Sequence, residues 1–423
     1  MRPDAVIDAE DDTAAVIRHD ACTLPLDDAT VDLIVTSPPY FALRSYRDDG
    51  EHYAGQIGSE DTSDDWLDAL DECMVEWGRV LKPSGSVWIN LGDKYAGTGD
   101  ANSNTGLGLE DGNEEAFDNR GSARNNTKQT RGYRAKSLLG LPWRFAIRQI
   151  DAGWILRAEV VWDKPNGLPE SVTDRVRRSH ETWFHFVKEP RYFSGVDEIR
   201  QPSAERHGTR SGFEKDSAVG SVAGRRTDPH GGLTSTGVNP LGRLPGSVWT
   251  VANEPLIVPE DTRQALDLPD HFAAFPQEWP RRIILGWSPT GICTECGEGR
   301  RPVVARTPME WRESPTMDGR TATRPDDGYK PASGTMTKAP EASITGYACA
   351  CSTLDAPTTP AVVLDPMGGT GTVAGVARML GRYGISNDLS EDYNRLAAWR
   401  IWQSDHFTKT EQRTWRDRQT TLL

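Results

Sequence analysis

Two short segments near opposite ends of the chain contain the residue types that a group-transfer site needs. Residues 36–40 read TSPPY, and residues 363–375 read VLDPMGGTGTVAG, which contains the pattern G-x-G-x-x-A from Gly369. Glycines let a backbone approach a ligand closely, and Asp388, 19 positions after Gly369, is placed to accept the hydroxyl groups of a ribose. This context predicts a nucleotide-type cofactor, and NAD, FAD and S-adenosylmethionine all suit it.

The TSPPY segment has the residue types for holding an amine on a flat base. Pro38 and Pro39 fix φ and have no N–H, so the Pro38 carbonyl has little freedom to turn away. The exocyclic amine of a nucleobase is a poor nucleophile, and acceptors from Ser37 and Pro38 would favour a tetrahedral, reactive nitrogen. Tyr40 would stack on the base. A plain strand-ending turn is the alternative interpretation of this segment.

Alternating apolar and polar segments predict an α/β protein. Because few residues follow the glycine-rich segment, most of the sheet must come from the N-terminal part of the chain. The predicted strands are residues 15–18, 31–36, 86–91, 154–162, 182–187 and 361–365, and the predicted helices are residues 64–81, 138–150 and 372–380. Three polar segments are expected to be irregular: 95–126 as a mobile loop, 203–241, and 307–344 as disorder or a surface excursion.

Composition limits the possible classes of protein. The 423 residues are 36% hydrophobic, no apolar run is long enough to cross a membrane, and the N-terminus has no signal-peptide pattern, so we expect a cytoplasmic protein. A net charge of -14 argues against an overall basic surface. Local basic groups remain candidates either for nucleic-acid contact or for solvated faces: Arg131, Arg134 and Lys136; Arg175, Arg177 and Arg178; Arg281 and Arg282.

The motifs, in this order, resemble the amino-group DNA methyltransferases of the permuted (β) class, in which the catalytic S/D-P-P-Y segment precedes the S-adenosylmethionine segment. The resemblance covers most of the chain and also rests on the segments 81–93, 140–146, 153–157, 162–188, 243–249, 271–276 and 381–393. It implies a circularly permuted, Rossmann-like methyltransferase fold with a seven-stranded, mostly parallel sheet. A target-recognition insertion and a zinc-knot-like insertion with four cysteines would interrupt that fold.

The resemblance also implies roles for individual residues. The catalytic segment would be Ser37, Pro38, Pro39 and Tyr40. The cofactor would contact Asp365, Pro366, Gly368, Gly369, Gly371, Thr372, Asp388, Asp20, Phe272 and Phe275, whereas His271 is expected to be structural.

The expected reaction is methyl transfer from S-adenosylmethionine to a base flipped out of double-stranded DNA. In this family a Ser before P-P-Y more often accompanies cytosine-N4 methylation, so Ser37 favours cytosine over adenine-N6. A hydroxyl can donate as well as accept, which would suit the ring nitrogen of cytosine. A cognate restriction endonuclease is a possible partner, and no nuclease signature is present in this chain.

Four cysteines have the spacing of a metal site. Cys293-x-x-Cys296 and Cys349-x-Cys351 flank 52 residues, and a structural zinc ion with four thiolate ligands is expected there, with four unrelated thiols as the alternative. Cys22 and Cys73 stand among apolar residues and are expected to be core residues rather than part of a disulfide framework.

The expected organisation has four parts. Residues 1–195 would form the catalytic half, 196–245 the target-recognition region, 246–290 with 353–423 the cofactor-binding half, and 291–352 the zinc-binding insertion. Residues 95–136 would form a loop that faces DNA. Three other classes remain as alternatives: an NAD-dependent dehydrogenase, a zinc-containing DNA-binding protein without activity, and a methyltransferase acting on protein glutamine.

Overall fold

A computed structural model describes residues 6–8, 13–42, 55–96, 132–167, 170, 172–201, 239, 241–269, 274–307, 310–313, 334–338, 342–349, 351–353 and 356–403. The strands of this described part are β1 Val6–Asp8, β2 Ala14–Ile17, β3 Val31–Thr36, β4 Leu81–Leu91, β5 Ile155–Asp163, β6 His180–Val187, β7 Val248–Thr250, β8 Ile292–Cys293, β9 Arg301–Arg306, β10 Glu310–Glu313, β11 Gly334–Lys338, β12 Ala342–Ala348, β13 Thr358–Thr359, β14 Val362–Asp365 and β15 Tyr383–Asn387. Its α-helices are α1 Ser63–Val80, α2 Leu141–Asp151, α3 Glu260–Leu266, α4 Glu278–Trp287, α5 Thr372–Met379 and α6 Glu391–Ala398. None of these helices combines the length and hydropathy needed to cross a membrane.

The central sheet confirms the predicted α/β class with mostly parallel strands. Its order is β1-β2-β15-β14-β3-β4-β6-β5-β7, with only β1 and β6 antiparallel to their neighbours among the described strands. The prediction of seven strands was wrong, because the sheet has nine among the described residues. The edge strands β1 and β7 have three residues each, which is too short for a hydrophobic period to mark them in the sequence.

Helix α1 illustrates why the flanking elements form where they do. Thr62 caps its N-terminus by accepting a hydrogen bond from the Asp65 N–H at 3.1 Å, and its apolar residues recur three and four positions apart. This apolar stripe, which includes Trp66 and Trp77, is fully buried in a core that also contains Val87 and Ile89 of β4.

Helices cover both faces of the sheet. Successive side chains of a strand point to opposite faces, so Trp88 lies on the face of β4 opposite Val87 and Ile89. The ring of Trp88 lies 4.5 Å from that of Trp287 in α4. Because α1 and α4 therefore lie on opposite faces, the strands between them are buried on both sides and read as continuous apolar runs.

Four neighbouring parallel strands bring the predicted site residues to one edge of the sheet. The chain leaves β2 toward Asp20, β15 toward Asp388, β14 toward the glycine-rich turn and β3 toward Ser37. Since β2, β15, β14 and β3 are adjacent and parallel, these four exits lie side by side at the carboxyl edge, where ligands bind in open α/β sheets.

The chain divides into two compact units. The first comprises residues 1–195, 246–301 and 348–423 and contains the central sheet. The second comprises residues 196–245 and 302–347. Within the second unit the Tyr347 hydroxyl donates a hydrogen bond to Glu198, and β10 pairs with β11 in an antiparallel ladder.

One expectation about the less regular parts needs correction. The segment 307–344 is not wholly irregular, because it contains β10, β11 and the beginning of β12. In β12 partly buried and exposed residues alternate, which is the pattern of a strand with one covered face. Most of the predicted loops 95–126 and 203–241 lies outside the described residues.

Cys22 and Cys73 form a disulfide. Both were expected to be core residues, and Cys73 is indeed fully buried with Cys22 packed against the same core. Their sequence separation of 51 residues gave no indication that the two sulfur atoms would meet. The loop after β2 and helix α1 are therefore joined covalently.

The close packing of β15 against α5 gives a stability prediction. A Cβ on Gly384 would lie 2.4 Å from the Ala374 carbonyl oxygen and 2.7 Å from its Cα, and this helix backbone cannot move aside cheaply. We expect Gly384→Ala to lower the free energy of unfolding by about 1–3 kcal/mol in urea denaturation. Gly246→Ala is the matched control, because a Cβ there meets nothing within 4 Å. Equal unfolding midpoints for the two variants would contradict the packing described.

Candidate active site

The TSPPY turn is fixed by contacts on both of its sides. The indole N–H of Trp66 in α1 donates a 3.0 Å hydrogen bond to the Pro39 carbonyl, and Pro38 is buried. On the other side, a Cβ on Gly92 would lie 2.4 Å from a ring carbon of Tyr40, so only glycine allows the ring to lie there. The turn after β3 is therefore held by packing as well as by its two prolines.

A continuous polar chain begins at Ser37. The Ser37 hydroxyl donates to Asn90 Oδ1 at 3.3 Å, and the Tyr40 hydroxyl lies 2.6 Å from the same oxygen and 2.8 Å from Glu181 Oε2. The other carboxylate oxygen of Glu181 forms a 2.5 Å ion pair with Lys164 Nζ. Lys164 Nζ also lies 4.0 Å from the centroid of the Trp162 ring, which is a cation–π contact.

These five polar residues line a cavity of about 620 Å³. The wall residues that matter most for its chemistry are Ser37, Tyr40, Asn90, Lys164, Arg178, Glu181 and Phe275. Phe275 packs its ring edge-on against Trp183, with 5.8 Å between the centroids. The cavity offers aromatic surface together with hydrogen-bond donors and acceptors, which suits a flat heteroaromatic ring that carries polar edges.

The glycine-rich turn after β14 requires its glycines. A Cβ on Gly368 would lie 2.1 Å from Ser386 Oγ, and Gly371 has a φ of +70° in the left-handed region. The predicted cofactor residue Thr372 is buried, and its hydroxyl accepts a 2.6 Å hydrogen bond from Arg400. Arg400 also bonds Thr370 Oγ1 at 2.8 Å, so a buried guanidinium supports this turn from behind.

Two carboxylates line a second, smaller cavity of about 60 Å³. Asp388 accepts 2.9 Å hydrogen bonds from the N–H groups of Gly369 and Ser390, and Asp20 accepts one from the Cys22 N–H, also at 2.9 Å. The remaining wall is largely apolar, with Ala21, Pro39, Ile57, Pro366, Met367 and Leu389 among its residues. Acceptors beside apolar walls suit a nucleoside, whose ribose and base donate hydrogen bonds at their edges.

The buried side chain of Asn387 joins the two halves of this smaller cavity. Its Nδ2 donates to the carbonyl oxygens of His19 at 3.0 Å and Pro366 at 2.8 Å. His19 belongs to the loop after β2 and Pro366 to the turn after β14. A single amide at the end of β15 therefore fixes the spacing of both neighbouring loops.

Asp365, at the end of β14, is almost completely buried. Burial raises the pKa of this carboxyl to about 7 although the Thr36 hydroxyl and the Met367 N–H, which lies 3.2 Å from Oδ1, lower it. The nearby Asp388 raises this pKa slightly further. Asp365 therefore changes its charge near neutral pH in the absence of a ligand.

Seven of the 14 predicted catalytic and cofactor residues line the two cavities, in two groups. Six others line neither cavity: Pro38, Asp365, Gly368, Gly369, Gly371 and Thr372. Ser37, Tyr40 and Phe275 line the larger cavity, whereas Asp20, Pro39, Pro366 and Asp388 line the smaller one. The TSPPY turn contributes to both. Phe272 and His271 lie outside the described residues.

Three residues of the polar chain were not predicted as site residues. Asn90, Glu181 and Lys164 each stand at or next to the end of a strand at the ligand-binding edge, in β4, β6 and β5 respectively. A polar residue at the end of a strand on this edge was the sequence signal that could have identified them as site residues. Because β6 runs antiparallel, its first residues, and not its last, lie at this edge, which hid Glu181 from the rule used for parallel strands.

The four cysteines form a candidate metal centre. The sulfur atoms all lie within 4.8 Å of one another, and they belong to Cys293, Cys296, Cys349 and Cys351. The Cys293 and Cys351 sulfur atoms are 3.9 Å apart, close to the separation of ligands around a tetrahedral zinc ion with Zn–S bonds of about 2.3 Å. Gly297, with a φ of +72°, donates its N–H to the Cys293 carbonyl and closes the turn that carries the first pair.

The α/β fold has two cavities at the carboxyl edge of its sheet, where ligands bind in open α/β proteins, and the comparisons identify the family. A family model described as DNA methylase, for N6/N4 methyltransferases, matches residues 31–292, and the chain belongs to this family. The Type II methyltransferase M.Cfr9I of Citrobacter freundii is 33% identical over 282 residues, which cover 67% of this chain and 72% of the relative.

Other relatives match over a shorter part. M.SmaI of Serratia marcescens is 37% identical over 181 residues, and these cover 43% of this chain and 57% of M.SmaI. M.XycI of Xanthomonas campestris pv. cyanopsidis is 38% identical over 194 residues, 46% of this chain and 58% of the relative. Among solved structures, the PvuII DNA methyltransferase (cytosine-N4-specific) has a TM-score of 0.49 at 15% identity, covering 94% of this chain and 89% of that chain.

The raised pKa of Asp365 gives a prediction for stability against pH. Its pKa of about 7 in the folded chain exceeds the ordinary value of 3.8, so the folded state binds this proton more tightly than the unfolded state. The carboxyl therefore destabilises the ligand-free fold progressively as pH rises from about 4 to about 7, by at most about 1.4 kcal/mol per pH unit. Thermal denaturation from pH 5 to 8 should show this loss in the unmodified chain and its absence in Asp365→Asn. Parallel melting curves for the two proteins would contradict the assignment.

Proposed function

We propose that this chain transfers a methyl group from S-adenosylmethionine to the exocyclic amine of a base in DNA, with cytosine N4 as the target. The observation that carries the proposal is the TSPPY turn, which lines both cavities from a strand that pairs directly with the strand of the glycine-rich turn. One segment can thus hold the amine beside the methyl donor. Family membership supports the same reaction.

The residues that line the smaller cavity suit the adenosine part of S-adenosylmethionine. Asp388 would accept the ribose hydroxyls and Asp20 the adenine amino group, while Pro39, Ile57 and Met367 supply apolar surface for the ring. The adjoining turn requires glycine at position 368, because a Cβ there would lie 2.1 Å from Ser386 Oγ. When bound, S-adenosylmethionine supplies an electrophilic methyl group on a positively charged sulfur.

The chain's own residues would act by holding and aligning the base. Ser37 and the carbonyl of Pro38 would accept N–H groups of the amine, and Tyr40 and Phe275 would contact the faces of the ring. The methyl donor is already activated, so alignment of the amine in a site that excludes water is the main requirement. A base in duplex DNA would have to be flipped into the cavity, at a cost of a few kcal/mol that stacking offsets.

The target base is the finer part of the proposal. Ser37, in place of Asp or Asn, favours cytosine N4 within the family that the sequence resembles. Adenine N6 is the second candidate, because a cavity of about 620 Å³ admits either base. Ser37 is therefore the single residue on which the preference for cytosine depends.

The names of the relatives support a proposal for the biological role of this chain. Several are called Type II methyltransferases, which supports site-specific modification of double-stranded DNA by this chain, with a cognate restriction endonuclease as a possible partner. We propose that residues 196–245 contribute to target recognition, as the sequence resemblance implies. We also propose that the protein acts in the cytoplasm.

We further propose that Cys293, Cys296, Cys349 and Cys351 hold a structural zinc ion. Thiolates are preferred zinc ligands, and four of them leave no open coordination position for catalysis. The two cysteine pairs precede and follow the segment 302–347. Zinc would therefore hold together the points where the chain leaves and re-enters the first unit.

Loss of the Ser37 hydroxyl tests the proposed reaction. DNA from a bacterial host without methyltransferases, expressing this chain, should contain N4-methylcytosine by nucleoside mass spectrometry, and Ser37→Ala should reduce that mark by roughly 10²-fold or more. Because Ser37 lines the larger cavity only, S-adenosylmethionine affinity measured by calorimetry should stay unchanged. N6-methyladenine would overturn the choice of base but not the reaction. Absence of both marks with folded, cofactor-binding protein would overturn the reaction.

Metal analysis tests the zinc proposal. Protein purified without chelators should contain about one zinc per chain by mass spectrometry of the metal. Cys296→Ser combined with Cys349→Ser should remove most of it and lower the melting temperature. Cys22→Ser combined with Cys73→Ser is the matched control and should keep the zinc, because these sulfur atoms bond each other in the folded chain. Full zinc content in the first double variant would refute the site.

A further inference from the structure

Asn90 controls where the hydroxyl protons of the TSPPY turn can point. We propose that Asn90 is a positioning residue that draws the protons of Ser37 and Tyr40 away from the cavity, so that Ser37 faces the target amine as a hydrogen-bond acceptor. This inference rests on the proposed methyl transfer and deepens it, because it assigns the direction of one hydrogen bond in the site.

The orientation of the Asn90 amide is fixed by its other partner. Its Nδ2 donates a 3.2 Å hydrogen bond to the Thr182 carbonyl on the neighbouring strand β6. A carbonyl oxygen can only accept, so the nitrogen end of the amide must face Thr182. Asn90 is 1% exposed, which leaves the side chain no space to rotate into solvent. The oxygen end, Oδ1, therefore faces the turn.

Asn90 Oδ1 can only accept, and this decides the direction of the hydrogen bonds it makes. The Ser37 hydroxyl, 3.3 Å away, must donate its single proton to form this bond. Its lone pairs then remain for a group in the cavity that Ser37 lines. The Tyr40 hydroxyl has Asn90 Oδ1 at 2.6 Å and Glu181 Oε2 at 2.8 Å, and both are acceptors, so its proton also stays within the protein.

Glu181 and Lys164 anchor the far end of this chain. The Lys164 ammonium holds Glu181 Oε1 at 2.5 Å, which leaves Oε2 directed at Tyr40. The two side chains are 18% and 19% exposed, so solvent competes little for either group. A charged pair at one end and a buried amide at the other therefore fix the Tyr40 hydroxyl and, through Asn90, the Ser37 hydroxyl.

The consequence concerns the chemistry of the amine. An acceptor that takes an N–H bond pulls electron density toward nitrogen and favours the tetrahedral geometry in which its lone pair is available to attack. A Ser37 hydroxyl that instead donated toward the base would not assist the amine in this way. The arrangement thus assigns Ser37 to the amine, as the first interpretation of the TSPPY segment expects, and not to the ring nitrogen of cytosine.

Two substitutions of similar size separate this role from a merely structural one. Asn90→Leu removes the acceptor, whereas Asn90→Asp keeps an acceptor oxygen but places a carboxylate beside Glu181. If Asn90 served only stability, the buried charge would make Asn90→Asp the more damaging change. If it serves as the acceptor, Asn90→Leu should be worse by far in catalysis.

The test is single-turnover methyl transfer to unmethylated genomic DNA with radiolabelled S-adenosylmethionine, from pH 6 to 9. We expect Asn90→Leu to lower the rate by roughly 10²-fold, and Asn90→Asp to stay within about tenfold of the unmodified enzyme at the low end of this pH range. The Asn90→Asp rate should fall as pH rises and the introduced carboxyl ionises. Only the neutral carboxyl can, like the amide, accept from both hydroxyls through one oxygen and donate to the Thr182 carbonyl through the other. Calorimetric S-adenosylmethionine affinity should be unchanged in both variants.

Two outcomes would overturn the inference: an Asn90→Leu rate equal to that of the unmodified enzyme, or an Asn90→Asp rate below that of Asn90→Leu at every pH. Failure of the proposed function is distinguishable, because the unmodified enzyme would then transfer no methyl group to DNA in the same assay.

Discussion

A hydrogen bond between residues 330 positions apart fixes the register on which both cavities depend. The Val362 N–H, at the start of β14, donates to Asp32 Oδ2 near the start of β3 at 2.8 Å. Lys82 Nζ, just inside β4, holds the other oxygen of Asp32 at 2.7 Å. Burial raises the pKa of the Asp32 carboxyl, whereas Lys82 and the Val362 N–H lower it. One side chain thereby ties together three neighbouring strands, and a slip of one residue in any of them would turn a site residue to the wrong face.

The strands and helices that carry the site were predictable because their signals are local. Strand β3 has the predicted bounds, and α1 begins and ends within one residue of the predicted helix. The glycine-rich turn was predictable because its backbone packs so closely that few residue types other than glycine are possible. At Gly368, for example, there is no space for a Cβ beside Ser386. Placing Ser37 beside this turn needed the order of the motifs in addition, because no local pattern indicates that β3 and β14 pair.

The contacts that polarise the site were not predictable, because they join elements far apart in the sequence. Tyr40 and Glu181 are 141 positions apart, and only the pairing of β4 with β6 brings Glu181 and Asn90 to the same edge. The disulfide between Cys22 and Cys73 escaped prediction for the same reason. By contrast, the four cysteines near β8 and β12 could be grouped from their spacing, because the two members of each pair are close in the sequence. Only the association of one pair with the other was left open.

Paired strands and buried polar groups fix the positions of the polar side chains in the site. Methyl transfer from an activated donor requires alignment more than proton transfer. Four of the five residues of the polar chain, all except Tyr40, stand at or beside the end of a paired strand. The buried guanidinium of Arg400 bonds hydroxyl groups of the glycine-rich turn, and the buried amide of Asn90 bonds those of the TSPPY turn. Each satisfies hydroxyl groups that would otherwise rotate freely. The two halves of the site are therefore made rigid by separate buried groups, and the Asp32–Val362 hydrogen bond sets the separation between them.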